Sequence, residues 1–107
     1  MMTSRQLITD FDGFLERIIP YDKSQSKDSL YSTLRKHPEL KELLEKQLFN
    51  SEDWAKRATS GEDIYFCVND SAWKRPGLPP KLGVNLGVIE EHDNKDINRL
   101  VVNFNIY

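Results

Sequence analysis

The sequence predicts an α+β domain in which three or four N-terminal helices pack on one face of a C-terminal three-stranded antiparallel sheet. Three observations predict it. In Leu82, Val84, Leu86, Val88 and again in Leu100, Val102, Phe104, Ile106, every second residue is large and apolar, and a period of two marks a strand with one buried face. Ile64, Phe66 and Val68 repeat the pattern. Before Gly61, apolar residues instead recur at three- and four-residue spacing, as in amphipathic helices. With 107 residues the expectation is a single domain, 1–107, with 1–61 as its helical half and 62–107 as its strand half.

In chain order, Thr3 or Ser4 caps a first helix running to about Ile19. Its stripe is Leu7, Ile8, Phe11, Phe14, Leu15, Ile18 and Ile19, and Pro20 ends it. Asp10, Asp12, Glu16 and Arg17 read as its solvated side. Tyr21 to Gln25 is a polar connection, after which Ser26 caps a short helix carrying Leu30, Tyr31 and Leu34. His37-Pro38 forces a break, because the residue before a proline avoids helical geometry while proline suits the first turn of a new helix. That helix, Pro38 to about Phe49, buries Leu40, Leu43, Leu44 and Leu48. Ser51 caps a fourth piece, Glu52 to about Thr59, with acids first and Lys56-Arg57 last, as the helix dipole prefers.

Three strands follow: Ile64–Asn69, the run from Leu82, and the run from Leu100, paired in the order one, two, three. The core is expected to be Leu7, Phe11, Phe14, Ile18, Leu30, Leu34, Leu40, Leu44, Leu48, Phe66, Val84, Leu86, Val102 and Phe104. The connection Asp70 to Lys81 is long for a small meander, where about 2 to 5 residues suffice. It is stiffened by Pro76, Pro79 and Pro80 and made basic by Lys74, Arg75 and Lys81. The second connection, Glu90 to Asp96, is acidic. Successive antiparallel strands place these two loops at opposite ends of the sheet. Both outer edges of a three-stranded sheet remain open to extension by a partner.

Fifteen Lys and Arg against seventeen Asp and Glu leave a formal charge of −2, which favours neither nucleic acid nor anionic lipid as a bulk partner. No signal-peptide pattern and no apolar run approaching about 18 residues is present, so the expected localisation is cytoplasmic, without a membrane partner. Cys67 is the sole cysteine, and His37 and His92 are the histidines. Metal-binding helix motifs, paired-cysteine motifs, a serine-nucleophile elbow and a Gly-rich phosphate loop are all missing. Gly83 and Gly87 sit inside a strand pattern instead. Neither a cofactor nor a metal is therefore expected, and no residue is assigned a catalytic role.

What remains is a surface. Trp73, Asn85, Asn103, Asn105 and Tyr107 are aromatic and amide residues suited to a wet, adaptable interface. Glu90, Glu91, Asp93 and Asp96 would steer the chain onto a basic patch such as the phosphate-gripping site of a nuclease. These nine residues are the expected partner-binding set. The function they point to is inhibition of another protein, of the kind an immunity protein exerts on a toxin in bacterial competition. The partner is then a basic toxin or nuclease domain. A winged-helix-like nucleic-acid binder using Lys56, Arg57, Lys74 and Arg75 is the alternative, although net charge disfavours it. A small enzyme built on His37, His92 or Cys67 comes third.

Overall fold

The computed structural model describes residues 11–107. Its elements run α1 (Phe11–Glu16), β1 (Ile18–Pro20), α2 (Lys27–Lys36), α3 (Glu39–Phe49), α4 (Glu52–Ala58), β2 (Ile64–Asp70), a 3-10 turn (Ala72–Lys74), β3 (Leu82–His92) and β4 (Lys95–Ile106). The expected cap at Thr3 or Ser4, and Leu7, Ile8 and Asp10, lie outside the described residues, as does the side chain of Phe11. No helix among the described residues is long and apolar enough to cross a membrane.

The helical punctuation follows the local chemistry. Ser26 and Ser29 form a reciprocal capping box, each hydroxyl accepting from the other's backbone N–H, at 3.3 and 3.1 Å. His37 leaves helical geometry while its N–H still reaches the Thr33 carbonyl, and Pro38 opens α3. Gly61, at φ +87°, supplies the left-handed residue between α4 and β2.

The end of the first helix departs from expectation. The helix stops at Glu16, and Ile18–Pro20 is a strand that pairs parallel with β2, Ile18 opposite Ile64. Phe14 and Ile18 satisfy helical spacing, but Ile18 and Pro20 also alternate. β-branching and the following proline settle the conflict in favour of an edge strand. A strand therefore interrupts the helical half. Arg17 is no solvated residue either: its guanidinium donates to the carbonyls of Ala58 at 2.6 Å and Glu62 at 2.8 Å. It thereby caps the C-terminal end of α4 with a cation.

Among the described residues the sheet is mixed and has four strands in the order β1-β2-β4-β3. The expected order of three antiparallel strands is thus corrected: β2 pairs parallel with β4, and only β3 and β4 are antiparallel. The long 71–81 connection has its reason here. It must carry the chain from β2 past the end of β4 to reach β3, and it is tied there by Ser71 N–H to the Ile106 carbonyl and by a two-way backbone pair between Lys81 and Tyr107, all at 2.8 Å. Because β3 still runs opposite to β2, the two connections leave the sheet at opposite ends. The second is not a loop of seven residues, however. β3 and β4 continue to a two-residue turn at Asp93-Asn94, both at positive φ (52° and 63°), the combination a type I′ hairpin needs.

Register places Val84 and Val68 on either side of Phe104, and Leu86 and Phe66 on either side of Val102. Of these, Phe66, Val84, Val102 and Phe104 join Leu30, Leu40, Leu44 and Leu48 in one core cluster, and Val68 packs against it. Of the expected core, Leu34 and Leu86 are packed against that cluster and only partly buried. Leu15, Ala58, Ile64, Leu100 and Ile106 belong to it as well.

β1 ends before β2 does, and a side chain completes the pairing. Tyr21 N–H donates to the Phe66 carbonyl, and then the Gln25 carboxamide accepts from Val68 N–H at 3.1 Å and donates to Val68 O at 2.7 Å. Gln25 thus takes the place of the next strand residue. Gln25→Ala leaves both groups of Val68 unpaired and is expected to cost about 1–3 kcal/mol, read as a lower urea midpoint with faster Val68 amide exchange. An unchanged midpoint would refute the assignment. Gln25→Glu loses the donor and sets a carboxylate against a carbonyl, so it should not rescue.

Candidate binding surface

The nine residues singled out in the sequence fall into two groups at opposite ends of the β3–β4 ribbon. Glu90, Glu91, Asp93 and Asp96 are all exposed at its tip. Asn85, Asn103, Asn105 and Tyr107 lie toward its other end, and Trp73 sits in the connection that crosses that end.

The tip is held in place. β1 and β3 are the outer strands of the sheet, so a flat sheet would separate them by about 14 Å. Yet the ring of His92, the last residue of β3, lies 4.8 Å from that of Tyr21, which follows β1, and 5.1 Å from that of Tyr65 on β2. The ribbon therefore curls back across the sheet. A register irregularity between Ile89 and Glu91 marks where the local twist increases. His92 Nε2 lies 3.0 Å from the Tyr21 carbonyl, which can only accept, so this nitrogen carries the proton. Nδ1 faces the Asp93 carboxylate at 3.7 Å, and Tyr21 meets Tyr65 edge-to-face at 6.0 Å. An open hollow of about 360 Å³ lies between the tip and the segment after β1, lined by Tyr21, Asp22, Lys23, His92 and Asp93. The Asp22 carboxyl is held below its ordinary range by the backbone N–H and hydroxyl of Ser24.

On the amide end, three strands contribute to one ladder. Asn69 donates to Asn105 at 3.1 Å, and Asn105 donates to Asn85 at 2.7 Å. Asn103 lies in register between Cys67 and Asn85 but joins no side-chain bond of this ladder among the described residues. The glycines of β3 keep the face low: the Tyr107 ring lies over Gly83. Trp73 is 74% exposed, with the Lys74 ammonium 5.5 Å from its ring centre, and Leu78 is 57% exposed.

The rival sets are dispersed. Arg57 donates to Asn98 at 3.1 Å near the start of β4, where Arg57, Lys56 and Arg99 border an open hollow of about 760 Å³ with Trp54, Ser51 and Glu62. Lys74 and Arg75 belong to the connection tied through Ser71 to Ile106, eight residues farther along β4. His37 ends α2, and neither histidine is hydrogen-bonded to Cys67 among the described residues. No group of three or more His, Cys, Asp or Glu suited to a metal occurs among the described residues.

Burial, and then the nearby Asp22 charge, push the Cys67 thiol above its ordinary range. At neutral pH the thiol is protonated in both folded and unfolded chains, so stability there does not depend on it. As pH rises past the ordinary thiol range the unfolded chain loses its proton first, and stability falls. Alkylation of Cys67 is accordingly expected to be slower in the native chain than in the urea-unfolded chain at mildly alkaline pH. Equal rates would show an unshifted, accessible thiol.

Tyr21 and Gln25, which position the tip and finish the sheet edge, are hidden in a stretch that reads as a polar connection. Asn69 was visible only as the last residue of a strand. Comparison with known proteins found no matching family model, no similar curated protein and no similar solved structure.

Proposed function

We propose that this chain is a protein-binding inhibitor, of the type an immunity protein represents, that engages a basic partner through the β3–β4 tip. The supporting observation is the pinned acidic ribbon. Four exposed carboxylates lie on or beside a two-residue turn, Asp93 within it and Glu90, Glu91 and Asp96 on the strands that flank it, and the adjoining His92 is bonded to Tyr21 and packed on Tyr65. A charged loop that is free to move loses backbone freedom on binding, at about 1–2 kcal/mol for each residue fixed. A hairpin already held by the body of the protein avoids much of that cost, and its field steers a basic surface onto it. The cleft by which a nuclease grips phosphate has the complementary charge. The amide ladder and Trp73 offer a second area of contact of interface-like composition. The nucleic-acid alternative lacks convergence, since its four cations divide between two places, one beside Asn98 near the start of β4 and one in the connection tied to its end.

The test is a tagged pull-down from native-host lysate at low and high salt, with nuclease treatment as control, followed by assay of the retained protein. A stoichiometric, salt-sensitive partner whose toxic or nucleolytic activity this chain blocks supports the reading. Retention of nucleic acid alone, or a partner whose activity is unaffected, sinks it.

A further inference from the structure

Among the described residues the sheet has two edges of different kinds. The β1 edge is three residues long and ends at Pro20, and Gln25 occupies the next bonding positions of β2. Short strands and prolines are devices that keep an edge from pairing with another chain. The β3 edge has neither over residues 82–89, Leu-Gly-Val-Asn-Leu-Gly-Val-Ile, which also carry no charge. The irregularity in its register comes only beyond Ile89.

One pair of bonds tells what that edge presents. Lys81 and Tyr107 exchange both backbone bonds, and bonded pairs alternate along an antiparallel ladder. Gly83, Asn85 and Gly87 therefore turn their N–H and C=O toward β4. Those of Leu82, Val84, Leu86 and Val88 point outward.

We propose that β3 pairs antiparallel with β3 of a second copy of this chain about a two-fold axis at Asn85, joining two four-stranded sheets into one. The strand is self-complementary in that register. Leu82 meets Val88, Gly83 meets Gly87, Val84 meets Leu86 and Asn85 meets Asn85 of the other copy, like with like on both faces. Moving the axis by one residue, to Val84 or Leu86, sets Asn85 against a glycine. The outward groups of Val84 and Leu86 become the bonded pairs, and Asn85 falls at a non-bonded pair, where side chains approach most closely, with Cα atoms about 4.5 Å apart. Asn85 is suited to that place. It is exposed, its Oδ1 already accepts from Asn105, and its Nδ2 has no partner among the described residues. The ladder Asn69–Asn105–Asn85 then continues through the axis into its copy. Lys81, at one end of the segment, comes beside the Glu90-Glu91 pair of the other copy, so charges match at both ends. Val88, 38% exposed, gains cover, and α3, which packs on β3, comes to lie beside its own copy.

The full chain should sediment at about twice 12.5 kDa as concentration rises. Asn85→Lys, which opposes two like charges at the axis, should return it to monomer mass with its circular dichroism unchanged. In a Cys67→Ser background, Asn85→Cys should form an interchain disulfide, its Cα separation falling within the disulfide range. Gly87→Cys should not, because its own copy lies four residues along, about 13 Å away. On the unaltered chain, amides of Val84, Leu86 and Val88 should become as protected from exchange as that of Asn85, which decides the matter even if the variants misfold. Monomer mass up to millimolar concentration, equal cross-linking at both positions, or fast outward amides at high concentration would each overturn the proposal.

Discussion

Phe104→Ala is expected to lower stability by about 3–5 kcal/mol, a large part of the roughly 5–15 kcal/mol that holds a domain of this size together. Phe104 is fully buried on β4, an interior strand, with Val84 and Val68 opposite it on the two neighbouring strands. Truncation removes the ring from contact with both neighbours at once. A β-strand backbone bonded on either side has little freedom to close the space left behind. Urea unfolding followed by circular dichroism should show the midpoint falling sharply with the slope nearly constant, or no cooperative transition at all. Phe104→Leu, which keeps most of the volume, should cost well under half as much. A shift below about 1 kcal/mol for the alanine variant would mean that the sheet does not pack around this residue.

The second large effect concerns binding. Replacing Glu90 and Glu91 by Gln, and Asp93 and Asp96 by Asn, turns the formal charge from −2 to positive while leaving the buried core untouched. Against the partner retained in the pull-down, association should slow by about 10- to 100-fold at low salt, and the salt dependence should flatten, because steering is the part of recognition that ions screen. Thermal stability should change little, since all four side chains are exposed. His92→Ala offers a contrast. It keeps every carboxylate but releases the tip from Tyr21 and Tyr65, so its main effect should be faster dissociation with an unchanged salt slope. Unaltered association by the neutralised variant would remove the acidic tip from the contact and leave the amide ladder and Trp73 as its site.

Where helices α2 to α4 lie and which face of each later strand is buried follow from short stretches of residues alone. Both are local: a capping serine pair, a His-Pro break and a change of period from 3.6 to 2 act over a few residues, and the structure follows them. The sequence also places amide residues together on one face, because alternation puts Asn85, Asn103 and Asn105 on the side away from Val84, Val102 and Phe104 whatever strand stands beside them. Alternation does not name the neighbour. That β2 lies beside β4 and parallel to it, that Ile18–Pro20 leaves the helix to become a strand, and that Glu90 to Asp96 forms the end of a ribbon were decided by tertiary structure. The same holds for the contact of His92 with Tyr21, 71 residues apart in the chain. Periodicity records which side of a residue meets the core. Which residues face each other depends on how the whole chain closes around that core, and no stretch of a few residues carries that information.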